Sequence, residues 1–205
     1  MATFRTLAEP SRYLADPIKG SRFEAVLAPA TTEAEAMALI HQVQAEAADA
    51  SHHCWAWLLA DGRSRSWDAG EPRGSAGRPI LAQIEGHEVV DVVVVVSRWF
   101  GGTKLGVGGL IRAYGGTAGK ALDRSSIVSV ASRCVLLVEH EYDDTGAVQA
   151  IVSARHLQVA GTEWGQRVAM RLDVEEDIVD ELLRELRDRT AGRAALTVEP
   201  TTAKP

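Results

Sequence analysis

Cysteine is scarce in this 205-residue chain: Cys54 and Cys134 are the only two, and they lie far apart in sequence. Such thiols read as buried side chains and not as a bridge, because no export signal precedes them. The opening residues, MATFRTLAEPSRYL, contain no apolar core segment and no cleavage site, so the expected location is cytoplasmic. Long hydrophobic runs are also missing. No window approaches the ~18 apolar residues of a membrane span, so no membrane partner is expected. Nor is there a dominant charge sign in the first half. Up to Val130 there are 13 Lys/Arg against 14 Asp/Glu, a net of 13 − 14 = −1; from Ala131 onward there are 9 against 14, a net of 9 − 14 = −5. Broad attraction of the second half to nucleic acid is therefore not expected, and any phosphate binding would be local to the first half, near the glycine loop. No Ser/His/Asp or Cys/His nucleophile suggests itself.

What the sequence does have is one stretch around which the rest is organised, residues 88–122 (EVVDVVVVVSRWFGGTKLGVGGLIRAYGGTAGKAL). The β-branched run at 89–97 is stiff at χ1 and predicts a central strand covered on both faces. Residues 100–109 hold five glycines around Lys104. From Leu110 to Leu122, Leu110, Tyr114, Ala118, Ala121 and Leu122 recur at helical spacing on one face. Strand, glycine loop, helix is an arrangement in which backbone N–H groups cradle an anion, and Arg98, Lys104 and Arg112 bracket this loop. Neither G-x-x-x-x-G-K-[ST] nor G-x-G-x-x-G is present, since Ile111 stands where the latter needs its third glycine. The glycines either permit close packing or face a ligand, and the residues alone leave both open.

Taken in order, residues 1–20 read as an arm with two prolines, 21–28 as a strand, and Thr31 and Thr32 as caps of a helix whose inner face holds Ala36, Leu39, Ile40 and Val43. A strand follows, with Asp61-Gly62 as its turn. Its His52-His53-Cys54 run is poorly placed to chelate one ion, because neighbours on a strand point to opposite faces; no metal and no cofactor is expected. Residues 66–78 are rich in turn formers, and Asp68 and Glu71 are their only acids. These two form an acidic candidate site for acid/base chemistry or Mg²⁺; the plainer alternative is that Asp68 caps the turn and Glu71 is solvated or salt-bridged. Pro79 is expected at the first position of a helix. After residues 123–126 the elements run β-α-β-β-α-β across 131–199, the ferredoxin-like plan, and 200–205 is a tail.

Several separate motifs then agree with one family: Ser21-Arg22-Phe23; Ala50-Ser51-His52-His53-Cys54-Trp55-Ala56; Asp68-Ala69-Gly70-Glu71-Pro72-Arg73-Gly74-Ser75-Ala76-Gly77-Arg78-Pro79; Ser97-Arg98-Trp99-Phe100-Gly101-Gly102-Thr103-Lys104-Leu105-Gly106; and Gly108-Gly109-Leu110-Ile111-Arg112-Ala113-Tyr114-Gly115. The chain resembles the YigZ/IMPACT family in its bacterial two-domain form. The resemblance implies an α+β protein. Residues 21–125 would form a two-layer α/β domain of the ribosomal-protein domain-2-like type, also seen in small-molecule kinases, and 131–199 a ferredoxin-like domain similar to one of elongation factor G. It also implies a translation-linked regulatory or binding role, since eukaryotic relatives act on translation initiation through an activator of a stress-response kinase. The expected partners are RNA or the ribosome, or a translation-regulating protein. Phosphate or nucleic-acid contact is expected from Arg98, Gly101, Gly102, Lys104, Gly106, Gly108, Gly109 and Arg112, with Trp99, Phe100 and Tyr114 as stacking candidates. The alternative is an enzyme or binding protein for a phosphorylated small molecule that uses the same loop with Asp68 and Glu71; the balance favours a non-enzyme. Two positions depart from the family: Ala69 stands where a second Asp is usual, and Arg73 where a small residue is common.

Overall fold

The structure is a computed structural model, and it describes residues 3–200. The chain divides into two compact units, Phe4–Val130 and Ala131 onward. The first contains β1 (Thr3–Leu7), β2 (Ser11–Leu14), β3 (Arg22–Pro29), α1 (Glu33–Glu46), β4 (His52–Leu58), β5 (Ser64–Trp67), α2 (Gly77–Gly86), β6 (Val92–Trp99), α3 (Val107–Arg124) and β7 (Ile127–Ala131). Five strands form one antiparallel sheet in the order β2-β3-β6-β4-β5.

The valine run is the central strand, and both of its faces are covered. Val92, Val94 and Val96 join Ile80 and Ile84 of α2 and Leu110, Tyr114 and Leu122 of α3 in one core. Val93 and Val95 join Ala36, Ile40 and Val43 of α1 in the other. Strand alternation thus sends one β-branched run into two cores. α1 starts at the expected caps: Thr32 accepts from the Glu35 N–H through its hydroxyl, and the Glu35 carboxylate accepts from Thr31.

Boundaries differ from the sequence reading in several places. Residues 1–20, expected as an arm, hold two strands: β2 pairs with β3 at the sheet edge, and β1 forms a two-stranded sheet with β7, a strand that the sequence reading does not include. All three are only four or five residues long, so periodicity is silent. β6 begins at Val92 and not at 89, because Asp91 has φ +52°; its buried carboxylate accepts from the Ala60 N–H. α2 begins at Gly77, which puts Pro79 third in the helix.

The second unit contains β8 (Arg133–His140), α4 (Thr145–Ala154), β9 (Gln158–Trp164), β10 (Val168–Glu175), α5 (Val179–Arg189) and β11 (Ala195–Pro200). Its antiparallel sheet has the order β11-β8-β10-β9, the ferredoxin-like arrangement of a β-α-β-β-α-β chain. Leu136, Val138, Met170 and Leu172 face Val148, Ile151, Leu182 and Leu186 of the helices. Most of the proposed tail, 201–205, lies outside the described residues, and Pro200 closes β11. Among the described residues no helix is long and apolar enough to cross a membrane.

Candidate functional site at the glycine loop and the start of helix α3

The loop after β6 is fixed from beneath by a turn. Lys19 and Gly20 both have positive φ, and Ile18 and Ser21 exchange backbone hydrogen bonds across them. Gly20 lies against Gly101 so closely that a Cβ on Gly101 would fall 1.9 Å from the Gly20 carbonyl carbon. Buried Ser21 accepts from both the Gly101 N–H and Arg98 Nη2 at 3.2 Å through its hydroxyl. Gly101 therefore serves close packing. Gly102 and Gly106 have φ of +83° and +71°, and a Cβ on either would meet nothing within 4 Å, so they are needed for backbone conformation. Gly108 and Gly109 are not loop residues: α3 starts at Val107, and both belong to its first turn.

Arg98 does not face outward as a phosphate ligand. It is buried, and its Nη1 donates to Glu71 Oε1 at 2.7 Å. The Tyr114 hydroxyl donates to the same oxygen at 2.8 Å, and its ring meets Phe23 edge-on. Removing one member of such a pair strands a buried charge. Full burial also removes Tyr114 from the stacking candidates. The Trp99 ring is covered by the Arg22 guanidinium at 3.7 Å. Of the three candidate rings, Phe100 is the open one.

The carboxylates behave as the plainer reading had it. Asp68 accepts from the N–H groups of Gly74, Ala76 and Gly77 at 2.8, 3.0 and 2.9 Å, which caps α2 and moves its start ahead of Pro79. Glu71 is held by Arg98 and Tyr114. The Asp68 carbonyl accepts from Cys54 Sγ, and burial pushes this thiol from an ordinary 9.0 up to about 12. Burial likewise raises the Tyr114 hydroxyl. His52 Nδ1 bonds the Ala69 carbonyl, whereas His53 Nδ1 meets Ser97 Oγ on the other face of β4. Ala69 itself has φ +48°, a left-handed conformation that Asp tolerates and Ala does not. The Asp that the resemblance implies at this position would tolerate that backbone.

Two cavities adjoin these residues. One of about 570 Å³ is lined by Ser66, Asp68, Arg73, Gly74 and Arg78. The other, about 240 Å³, brings together Glu71, Arg98, Phe100, Lys104 and Gly106 from the expected set, and adds Leu105, Val107 and Leu110. Gly101, Gly102, Gly108, Gly109, Arg112, Trp99 and Tyr114 do not line it. α3 opens without a side-chain cap and without an acid in its first turn, so its first N–H groups lack intrahelical partners. Phe100, Val107 and Ile111 are 50%, 53% and 42% exposed. Sequence reasoning missed Val107 and Ile111. Their four-residue spacing would have shown them as a pair had the helix been started at 107.

The family model described as the Impact N-terminal domain matches residues 19–122, and that described as a domain of unknown function (DUF1949) matches 138–193. The chain is a member of the IMPACT family. IMPACT relatives span nearly all of it. An IMPACT family member of Thermus thermophilus is 39% identical over 178 residues, 86% of this chain and 97% of that protein. The IMPACT family member YigZ of Escherichia coli is 32% identical over 185 residues, covering 88% and 91%. The IMPACT homologue of Saccharomyces cerevisiae matches at 35% over 98 residues, 44% of this chain and 38% of its own. A solved structure titled only as a hypothetical protein superposes with a TM-score of 0.77 at 30% identity, covering 98% of both chains.

Proposed function

We propose that this IMPACT-family protein is a translation-linked binding protein. Its first domain (residues 21–125) presents the glycine loop and the start of α3 to a translation component, and residues 131–199 form the second domain. One observation carries the reading: Phe100, Val107 and Ile111 are exposed together beside Lys104 and Arg112, which form no ion pair with any described residue. An apolar patch with an unneutralised basic rim is a contact surface. Direct RNA contact draws support from the same cations and from the uncapped helix start. Protein contact draws more, because stacking is left to Phe100 alone. The test is co-sedimentation with ribosomes and subunits across a salt series. Binding that Val107→Asp abolishes and salt weakens only modestly supports a protein surface. Steep salt dependence with loss in Lys104→Ala/Arg112→Ala supports RNA. No binding at low salt overturns the translation link.

A second reading rests on the larger cavity, whose volume lies in the ~300–1,000 Å³ range of small-molecule sites and whose Arg73 and Arg78 would hold a phosphorylated metabolite. Its one carboxylate, Asp68, is already engaged by three N–H groups. A thermal shift with phosphometabolites, lost in Arg73→Ala/Arg78→Ala, supports it.

A further inference from the structure

Resting on the α3 surface just described, we infer that the 240 Å³ groove takes a short acidic peptide segment anchored by one bulky apolar side chain. The volume is below that of a small-molecule site, and Phe100, Leu105, Val107 and Leu110 give it apolar walls. The charged pair at its base, Arg98 with Glu71, is internally neutralised. Val107 and Ile111 carry the apolar surface onto the next turn of α3.

Charge selects the sign of the partner. Among the described residues neither Lys104 nor Arg112 meets an acid, and the first-turn N–H groups of α3 add positive potential at the same end. A basic segment would be repelled, and a neutral one would leave both cations unmatched. The helix also leaves room for a backbone. Gly108 and Gly116 lie on the exposed side of α3, where each costs about 1 kcal/mol relative to Ala. Neither has positive φ; a Cβ on Gly116 would meet nothing within 4 Å, and one on Gly108 only the Arg112 guanidinium at 3.8 Å. Nothing inside the molecule asks for glycine at either place, whereas an approaching main chain does. A nucleic-acid strand fits less well, since its bases would find one ring, Phe100.

The test is selection of short random peptides displayed against the full chain, followed by anisotropy titration of the selected sequences. The expected sequences are rich in Asp and Glu around one Leu, Phe or Trp. Replacing that anchor by Ala should weaken binding roughly tenfold or more. So should Val107→Asp, Gly108→Leu or Lys104→Glu/Arg112→Glu in the protein, with the melting temperature not lowered. Selected peptides without acids, or acidic peptides indifferent to the anchor and to Val107→Asp, overturn the inference. So does an oligouridylate that binds more tightly than every selected peptide and is lost in the same variants. Peptide binding that persists when ribosome co-sedimentation fails leaves this site standing and removes only the translation link.

Discussion

Arginine meets different fates in the two units. In the second, Arg133, Arg155, Arg167, Arg171 and Arg193 each face an acid of the same unit, and only Arg184, Arg187 and Arg189 of α5 do not among its described residues. In the first, Arg12, Arg63 and Arg65 do likewise, but Arg73, Arg78, Lys104 and Arg112 face none among the described residues. These four belong to the loops after β5 and β6 and to the helices that follow them. A net charge near zero thus conceals a local positive surface that the −5 of the second unit does not show. Arg98 is the exception within that surface: it is matched, buried, and holds the two loops together through Glu71.

The most severe way to break this contrast is to remove the matched pair. Arg98→Met should destabilise the first unit by roughly 3–5 kcal/mol in urea unfolding, because Glu71 is left charged and buried. Arg171→Met in the second unit, whose pair is half exposed, should be indistinguishable from the parent. Gly101→Ala comes next. Its Cβ cannot fit against Gly20 without a backbone shift, and a loss of about 1–3 kcal/mol is expected. The buried thiol of the first unit then adds a pH dependence. Cys54 is held un-ionised to about 12 in the fold but ionises near 9 when unfolded. Its contribution is therefore complete below pH 9 and is lost as pH rises from 9 toward 12, at ~1.4 kcal/mol per pH unit. Urea midpoints between about pH 9 and 10 should fall for the parent and flatten in Cys54→Ala. Smallest are two gains of about 1 kcal/mol each. Ala69→Asn relieves a left-handed alanine, and Gly108→Ala restores helix propensity. Calorimetry should show both raised in melting temperature.

The elements written in local chemistry were legible: β6 from its valines, α1 from its threonine caps, and the β-α-β-β-α-β order from alternating periodicities. β1, β2 and β7 were not, because a strand of four or five residues depends on a distant partner. The site was legible as a place and not as a mechanism. Its motifs located the loops. However, the Arg98–Glu71 pair joins residues 27 apart in sequence, and the Asp68 cap reaches six to nine residues ahead. Neither follows a helix or strand period. The glycines looked alike in sequence, yet Gly101 is a packing contact, Gly106 a backbone turn, and Gly108 an open surface.

The pairing of β1 with β7 also sets an order of manufacture. The first strand of the first unit closes on its last, so no nascent chain can finish this unit until Ala131 has left the ribosomal tunnel. A fragment cut at Leu122, where the family match to the first domain ends, would leave β1 without its mate. Conversely, two strand ends that meet are ends that a short linker can join, so the unit is a natural candidate for circular permutation with new termini opened at the Asp61-Gly62 turn.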